Sequence, residues 1–271
     1  MKIRWLKRSM RTIISCCLLL AISTAFGDDL EARLAKKGIK VSKDRGGKPS
    51  RLMSRGNPSL TVTDYQSLKK FPVTSMGLNA STLKNHEWGF LREHQQLKRL
   101  AIWHAKGISS LEPFSGLSVE SLTIGGSMGL RDLNKGNPDK HRDAVLTLKN
   151  LPNLKTLSLY HTPLTPDDKH LAHIVKEFPK LEDLRLDFAT PRGTKINITP
   201  SGLKKLHALP LKKLTIENFQ SFSDAHMKAL ATIPTLKQIV LDSRKRPCPS
   251  QLVLALGKAN ADLEVEAQTK K

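Results

Sequence analysis

Two groups of side chains suited to contacting a ligand lie within or directly after leucine-rich segments of this 271-residue chain. The early group is aromatic and basic, whereas the later group is mainly acidic. Together they comprise Arg99, Trp103, His104, Tyr160, His161, Asp183, Arg185, Asp187, Glu217 and Asp242. Exposed Trp, Tyr and Arg often anchor interfaces, and carboxylates can receive a basic partner or a divalent cation. These residue types indicate recognition rather than covalent chemistry.

Each group also has an interpretation without a ligand. Trp103 and Tyr160 can be partly covered by neighbouring loops. The carboxylates can form a solvated face that is balanced by Arg185 and Lys213. The residue types by themselves do not separate these interpretations from ligand binding.

The sequence lacks the spacing patterns of common catalytic and cofactor sites. It contains no G-x-S-x-G nucleophile elbow and no Walker or G-x-G-x-x-G phosphate loop. Cys248 lies between two prolines without a plausible base beside it. His170 and His173 share a helix face, but no cysteine or carboxylate follows them at zinc-like spacing. We therefore expect a protein that is not an enzyme and that uses no cofactor or metal ion.

A recurring L-x-x-L-x-L pattern predicts a repeated structural unit. Its first position recurs at intervals of 24, 22, 35, 27, 30, 25 and 24 residues. The copies are Val73/Met76/Leu78, Leu97/Leu100/Ile102, Val119/Leu122/Ile124, Leu154/Leu157/Leu159, Leu181/Leu184/Leu186, Leu211/Leu214/Ile216, Leu236/Ile239/Leu241 and Asn260/Leu263/Val265. Apolar residues spaced by two lie on one face of a strand. One unit cannot bury that face alone, so the units must stack.

Between the predicted strands, the apolar spacing changes to that of a helix. The segment from Leu171 to Phe178 follows the i, i+3, i+4, i+7 rule. Helix starts are marked by capping residues, as in Thr165-Pro166-Asp167. The third and fifth repeats carry about six extra residues each, in the loops GGSMGLRDLNKG and ATPRGTKIN. We expect both loops to project from the same edge of the molecule.

This arrangement resembles the leucine-rich-repeat family over roughly residues 70–266, and its Thr/Ser-(Pro)-Asp caps resemble those of exported bacterial members. The resemblance implies an α/β fold: a right-handed solenoid with parallel concave strands and convex helices. It would occupy residues 59–271 with about eight repeats, capped by residues 59–72. The candidate ligand-binding residues would then line the concave face. One departure is the ninth motif position, usually Asn or Cys in the family, which holds Ser81, Ala105, Ser127, Thr162, Ala189, Phe219 and Arg244.

Residues 1–27 predict an export signal. Five Lys or Arg residues precede an apolar segment, and small residues before Asp28 suit cleavage after Gly27. The alternative is an uncleaved membrane anchor, for which the apolar run is short compared with a span of about 20 residues. Cleavage would leave 40 Lys and Arg against 24 Asp and Glu, with Cys248 as the one remaining cysteine. We therefore expect a secreted or periplasmic protein without an intrachain disulfide.

Residues 28–58 are rich in Lys, Arg, Gly and Ser and predict a basic flexible linker. The basic charge of the chain also suits contact with a polyanion, for which the segment from Lys36 to Arg55 is the expected site. The lysines are not interleaved with aromatic residues, so the sequence does not favour nucleic acid as the partner.

These features together predict a noncatalytic, extracytoplasmic module that binds an unidentified protein or glycan. Binding would use the concave strands and the two long edge loops. The alternative is an envelope-associated structural protein that binds acidic polymers through its basic linker. After the signal segment, no apolar stretch approaches the roughly 20 residues of a membrane span.

Overall fold

The strands of the protein form one sheet in which they are ordered as in the chain. The computed structural model describes residues 29–54, 56, 58–105, 107–126, 143–160, 166–188, 197–219, 222–242 and 250–268. Within these residues the sheet has ten strands. β1 and β2 are antiparallel, and each later strand is parallel to its predecessor. The strands are β1 (Ile39–Lys43), β2 (Pro49–Ser54), β3 (Ser75–Asn79), β4 (Arg99–Trp103), β5 (Ser121–Gly125), β6 (Thr156–Tyr160), β7 (Asp183–Asp187), β8 (Lys213–Glu217), β9 (Gln238–Asp242) and β10 (Glu264–Gln268).

Helices connect the strands. The α-helices are α1 (residues 29–36), α2 (Val62–Ser67), α3 (Asp168–Glu177), α4 (Pro200–Lys204), α5 (Asp224–Ala231) and α6 (Ser250–Ala259). Shorter 3-10 helices are Leu68–Lys70, Asn85–Glu93, Glu112–Phe114, Asp143–Thr147 and Lys205–Ala208. Among the described residues, none of these helices combines the length and the apolar character needed to cross a membrane.

The core is a ladder of aliphatic residues that continues from strand to strand. Leu100, Leu122 and Leu157 occupy matching positions on β4, β5 and β6, and each is at most 2% exposed. Apolar residues of the helices, such as Leu171 and Ile174 on α3, belong to the same buried cluster. Burial of one aliphatic side chain contributes about 1.5–3 kcal/mol before ordering entropy is subtracted. The predicted α/β fold with a parallel sheet is thus confirmed.

Residues 29–54 are folded, and this differs from the predicted flexible linker. They form α1 and the β1–β2 hairpin, and β2 pairs with β3. Leu34, Ile39 and Leu52 are at most 1% exposed and join the core. The segment has few apolar residues, but their spacing lets these three bury in the same core as the repeats. The core therefore extends beyond the predicted cap at residues 59–72, whereas the predicted export signal lies outside the described residues.

The two histidines on α3 serve packing in this structure. His170 is fully buried, with Nδ1 2.6 Å from Asp167 Oδ1 and Nε2 3.3 Å from Asp143 Oδ1. Burial lowers the pKa of His170, and the nearby Asp167 carboxylate opposes this effect. His173 Nε2 lies 2.8 Å from the carbonyl oxygen of Leu148. Both imidazoles thus join α3 to the segment that precedes β6.

A capping contact links α3 to the start of α4. The Thr199 hydroxyl accepts a hydrogen bond of 2.9 Å from the backbone N–H of Gly202, which would otherwise lack a partner within the first turn of α4. The backbone N–H and hydroxyl of Thr199 donate to the Asp168 carboxylate at 2.8 and 2.7 Å. A Cβ atom on Gly202 would overlap this carboxylate. A larger residue at position 202 would therefore require the Asp168 side chain to move away from Thr199.

We expect Gly202→Ala to lower the free energy of unfolding by about 1–3 kcal/mol, because the added methyl group must displace Asp168 from the cap. Urea denaturation measures this change. Gly257→Ala on α6 is the matched control, since a Cβ there meets nothing within 4 Å. Equal stability of the two variants would contradict the proposed contact.

Candidate functional site

The strand residues that alternate with the core aliphatics form one face of the sheet, which we call the open face. On β3–β9 it consists of the first, third and fifth residue of each strand. Small side chains prevail from β3 to β6, and charged side chains prevail from β7 to β9. The residues are Ser75, Gly77, Asn79, Arg99, Ala101, Trp103, Ser121, Thr123, Gly125, Thr156, Ser158, Tyr160, Asp183, Arg185, Asp187, Lys213, Thr215, Glu217, Gln238, Val240 and Asp242.

Two aromatic side chains contact each other across this face. Trp103 Nε1 on β4 donates a hydrogen bond of 2.8 Å to the Tyr160 hydroxyl on β6. Both residues are half-buried. Part of the coverage of each ring comes from the other ring, whereas coverage by neighbouring loops remains a prediction. The bond fixes the relative position of two amphipathic rings.

Glycines on the neighbouring strands make room for these rings. A Cβ atom on Gly77 of β3 would lie 2.8 Å from the Trp103 ring, and one on Gly125 of β5 would lie 2.5 Å from the Tyr160 ring. Real Cβ atoms do not approach other heavy atoms this closely. Each ring therefore lies over the backbone of the preceding strand, and any larger residue at Gly125 would displace Tyr160.

Arg185 connects the aromatic pair to the acidic part of the open face. Its guanidinium carbon lies 5.0 Å from the centre of the Tyr160 ring, which is a cation–π distance. The same guanidinium donates to Glu217 on β8 and, at 3.2 Å, to Asp242 on β9. The Arg185 side chain is 30% exposed, whereas those of Glu217 and Asp242 are 0% and 1% exposed.

Three carboxylates stand side by side at the ends of β7, β8 and β9. Asp187, Glu217 and Asp242 are paired in register, and all three are buried. Asn218 Nδ2 donates to Asp187 at 2.6 Å. Burial raises the pKa of Glu217 to about 7, with further increases from the charges of Asp187 and Asp242 and an opposing effect of Arg185. Charged carboxylates at this spacing in a dry environment repel one another.

The structure brings together six of the predicted residues: Trp103, Tyr160, Arg185, Asp187, Glu217 and Asp242. The interpretation of the carboxylates as a solvated face is wrong for the last three, which are buried, although Arg185 does provide the predicted charge balance.

Four predicted residues stand apart from this group or lie outside the described part. Arg99 is exposed at the start of β4, and Asp183 lies at the start of β7, where burial raises its pKa against the effect of Lys213. His104 is exposed after β4 and has a left-handed backbone with φ of 53°. His161 is not among the described residues, and the same is true of most of the two long loops.

Sequence reasoning missed Gly77, Gly125 and Asn218. The two glycines occupy strand positions at which other repeats carry side chains, and this is a signal of close contact. Asn218 adopts φ of 54° directly after β8, in the left-handed region that Asn tolerates. Its role at Asp187 has no signature in the spacing, because it depends on how the chain turns after the strand.

Comparison with known proteins gives no assignment. No protein-family model matches the chain, and no curated protein matches it. Among the described residues, no group of three or more His, Cys, Asp or Glu side chains is arranged to hold a metal ion. The functional argument therefore starts from the geometry of the open face.

The raised pKa of Glu217 predicts a pH dependence of stability. The Glu217 carboxyl group binds its proton more tightly in the folded protein than in the unfolded chain. Its contribution to the free energy of unfolding is therefore complete below the ordinary pKa of 4.5 and is lost as the pH rises through about 7. We expect Glu217→Gln to remove a decline on the order of 1–3 kcal/mol across this window.

Urea denaturation of both proteins between pH 4 and 8 tests this prediction. Glu264→Gln on the exposed strand β10 controls for the loss of one carboxyl group. Parallel stability profiles for the native protein and Glu217→Gln would show that Glu217 does not titrate as described.

Proposed function

We propose that the chain is a right-handed leucine-rich-repeat solenoid and acts as a noncatalytic, extracytoplasmic module that binds a protein or glycan through its open face. The in-register sheet and the repeating aliphatic ladder support the solenoid. The charged and apolar segments of residues 1–27 support export. The noncatalytic role rests on the lack of catalytic spacing patterns in the sequence.

The observation that carries the proposal is the fixed aromatic pair on a surface of small residues. Trp103 and Tyr160 are held by their mutual hydrogen bond and by the glycines beneath them. Thr123 and Ser158 beside them are half-buried, so a ligand can approach the strands closely. Ring faces and hydroxyl groups of this kind suit sugar rings and extended peptides alike, and rigid aromatic side chains lose little entropy on binding.

The charged side chains differ between the two ends of the open face. Arg99 is exposed at the start of β4, and Arg51 is exposed at the third position of β2. At the other end, Asp183 is half-buried and Arg185 is partly neutralised by two buried carboxylates. A ligand that crosses the sheet therefore meets positive charge first and acidic groups last. This gradient favours one orientation of a polar ligand.

We expect Gly125→Leu to abolish retention of a specific partner from envelope and extracellular extracts, because the added side chain displaces Tyr160 from its hydrogen bond with Trp103. Trp103→Ala with Tyr160→Ala should do the same by removal of the rings. Extract pull-downs and a glycan array provide the measurement, and circular dichroism verifies folding.

Lys204→Ala is the matched control, because this residue is exposed on α4 and lies away from the open face. Retention by the control but not by the two open-face variants supports the proposal. Equal, salt-sensitive retention by all of the folded variants would refute recognition by the open face.

The alternative function, attachment to an acidic polymer of the envelope, is favoured by one observation. The folded segment of residues 29–54 presents exposed cations on α1 and on the β1–β2 turn, namely Lys36, Arg45 and Lys48. A folded basic hairpin offers fixed positive charges to a polyanion. Deletion of this segment would remove Leu34 and Leu52 from the core, so the test must preserve the fold.

We expect Lys36→Gln, Arg45→Gln and Lys48→Gln together to weaken binding to an acidic polysaccharide and to reduce its dependence on salt concentration. Binding isotherms between about 50 and 300 mM salt measure both effects. Unchanged affinity at low salt would eliminate this alternative while leaving the open-face proposal intact.

A further inference from the structure

The two outer strands of the sheet carry opposite charges. β1 has Lys40 and Lys43 and no acidic residue, whereas β10 has Glu264 and Glu266 and no basic residue. Within the described residues, β1 pairs in the sheet with β2 alone and β10 with β9 alone. Among the described residues, no further strand pairs with the outer edge of β1 or of β10. Such edges are sites of association unless charge prevents it.

We propose that the protein associates head to tail with a second copy, through β10 of one copy and β1 of the next. Charge disfavours pairing of two β10 edges, because antiparallel strands matched at Val265 would place Glu264 opposite Glu266. Pairing of unlike edges places opposite charges together. The contact is heterologous, so it leaves one free edge of each kind and can be repeated.

The side-chain pattern of the two strands fits one continuous sheet. β1 runs opposite to β2, so a β10 strand that continues the sheet pairs with it in antiparallel fashion. When Val41 is opposite Val265, both lie on the core side, where both are partly buried. The same register places Lys40 opposite Glu266 on the open-face side. Inward and outward alternation thus matches across the junction.

The terminal helices add apolar surface at the same two ends. Leu254 on α6 is 60% exposed, which is unusual for a leucine beside a buried core. Ala32 and Ala35 on α1 are exposed at the other end. A neighbouring copy that contacts α6 as well as β10 would remove this apolar surface from water. The sheet edges and the terminal helices therefore favour the same partner, a second copy of this chain.

The overall charge of +21 opposes association of like molecules. At an ionic strength of about 0.15 M, charges separated by more than about 8 Å are largely screened. Directly opposed pairs such as Lys40 and Glu266 are screened less. Association is therefore expected at moderate salt and is tested there.

Sedimentation velocity of the purified protein over a concentration series at this salt tests the proposal. The native protein should show a weight-average mass that rises with concentration. Lys40→Glu and Glu266→Lys should each weaken association at least about tenfold, because each opposes like charges at the junction. The two reversals combined in one chain should restore association, since the pair is then reversed but complementary. An equimolar mixture of the two single variants should also associate.

Lys204→Glu on α4 is the matched control and changes the net charge as Lys40→Glu does. A monomeric native protein at every concentration would overturn the proposal. Association that is weakened equally by Lys204→Glu would also overturn it, because net charge would then be the cause. Failure of the combined reversal to restore association, with native circular dichroism, would exclude this pair of edges.

Discussion

The whole structure depends on the parallel register that stacks one aliphatic layer on the next. Leu157, Leu184 and Leu214 occupy the same position on β6, β7 and β8, and each is buried in the aliphatic core that the aligned strands form. A single layer exposes too much apolar surface to be stable alone. The register therefore determines both stability and the alignment of the outward residues, since a slip by one residue would turn every side chain to the other face.

This alignment explains why the open face can hold an organised group of side chains. Trp103, Gly125 and Tyr160 occupy the fifth position of three successive strands, so the glycine lies between the two rings. The rings can then approach and form their hydrogen bond. The same position on β7–β9 holds carboxylates, which places Arg185 where it reaches both an aromatic ring and two acidic groups.

The buried carboxylates show how charge and packing oppose each other in this fold. Glu217 is fully buried between two other acidic residues, and Arg185 offsets the cost of burial only in part, as the raised pKa of Glu217 shows. Such a cluster costs stability at neutral pH. Its presence beside the aromatic pair supports a role for this part of the open face in recognition, because buried ionisable groups are frequent at functional sites.

The sequence by itself determined the repeat, the parallel α/β sheet and six of the residues that meet on the open face, because period-two leucines and their spacing are local signals. It did not reveal that residues 29–54 fold, since Leu34, Ile39 and Leu52 can be buried only when the folded first repeat provides apolar surface next to them. It also did not reveal the burial of Glu217 or the glycine beneath Tyr160. Those features depend on contacts between strands about 30 residues apart in the chain, which only the tertiary structure decides.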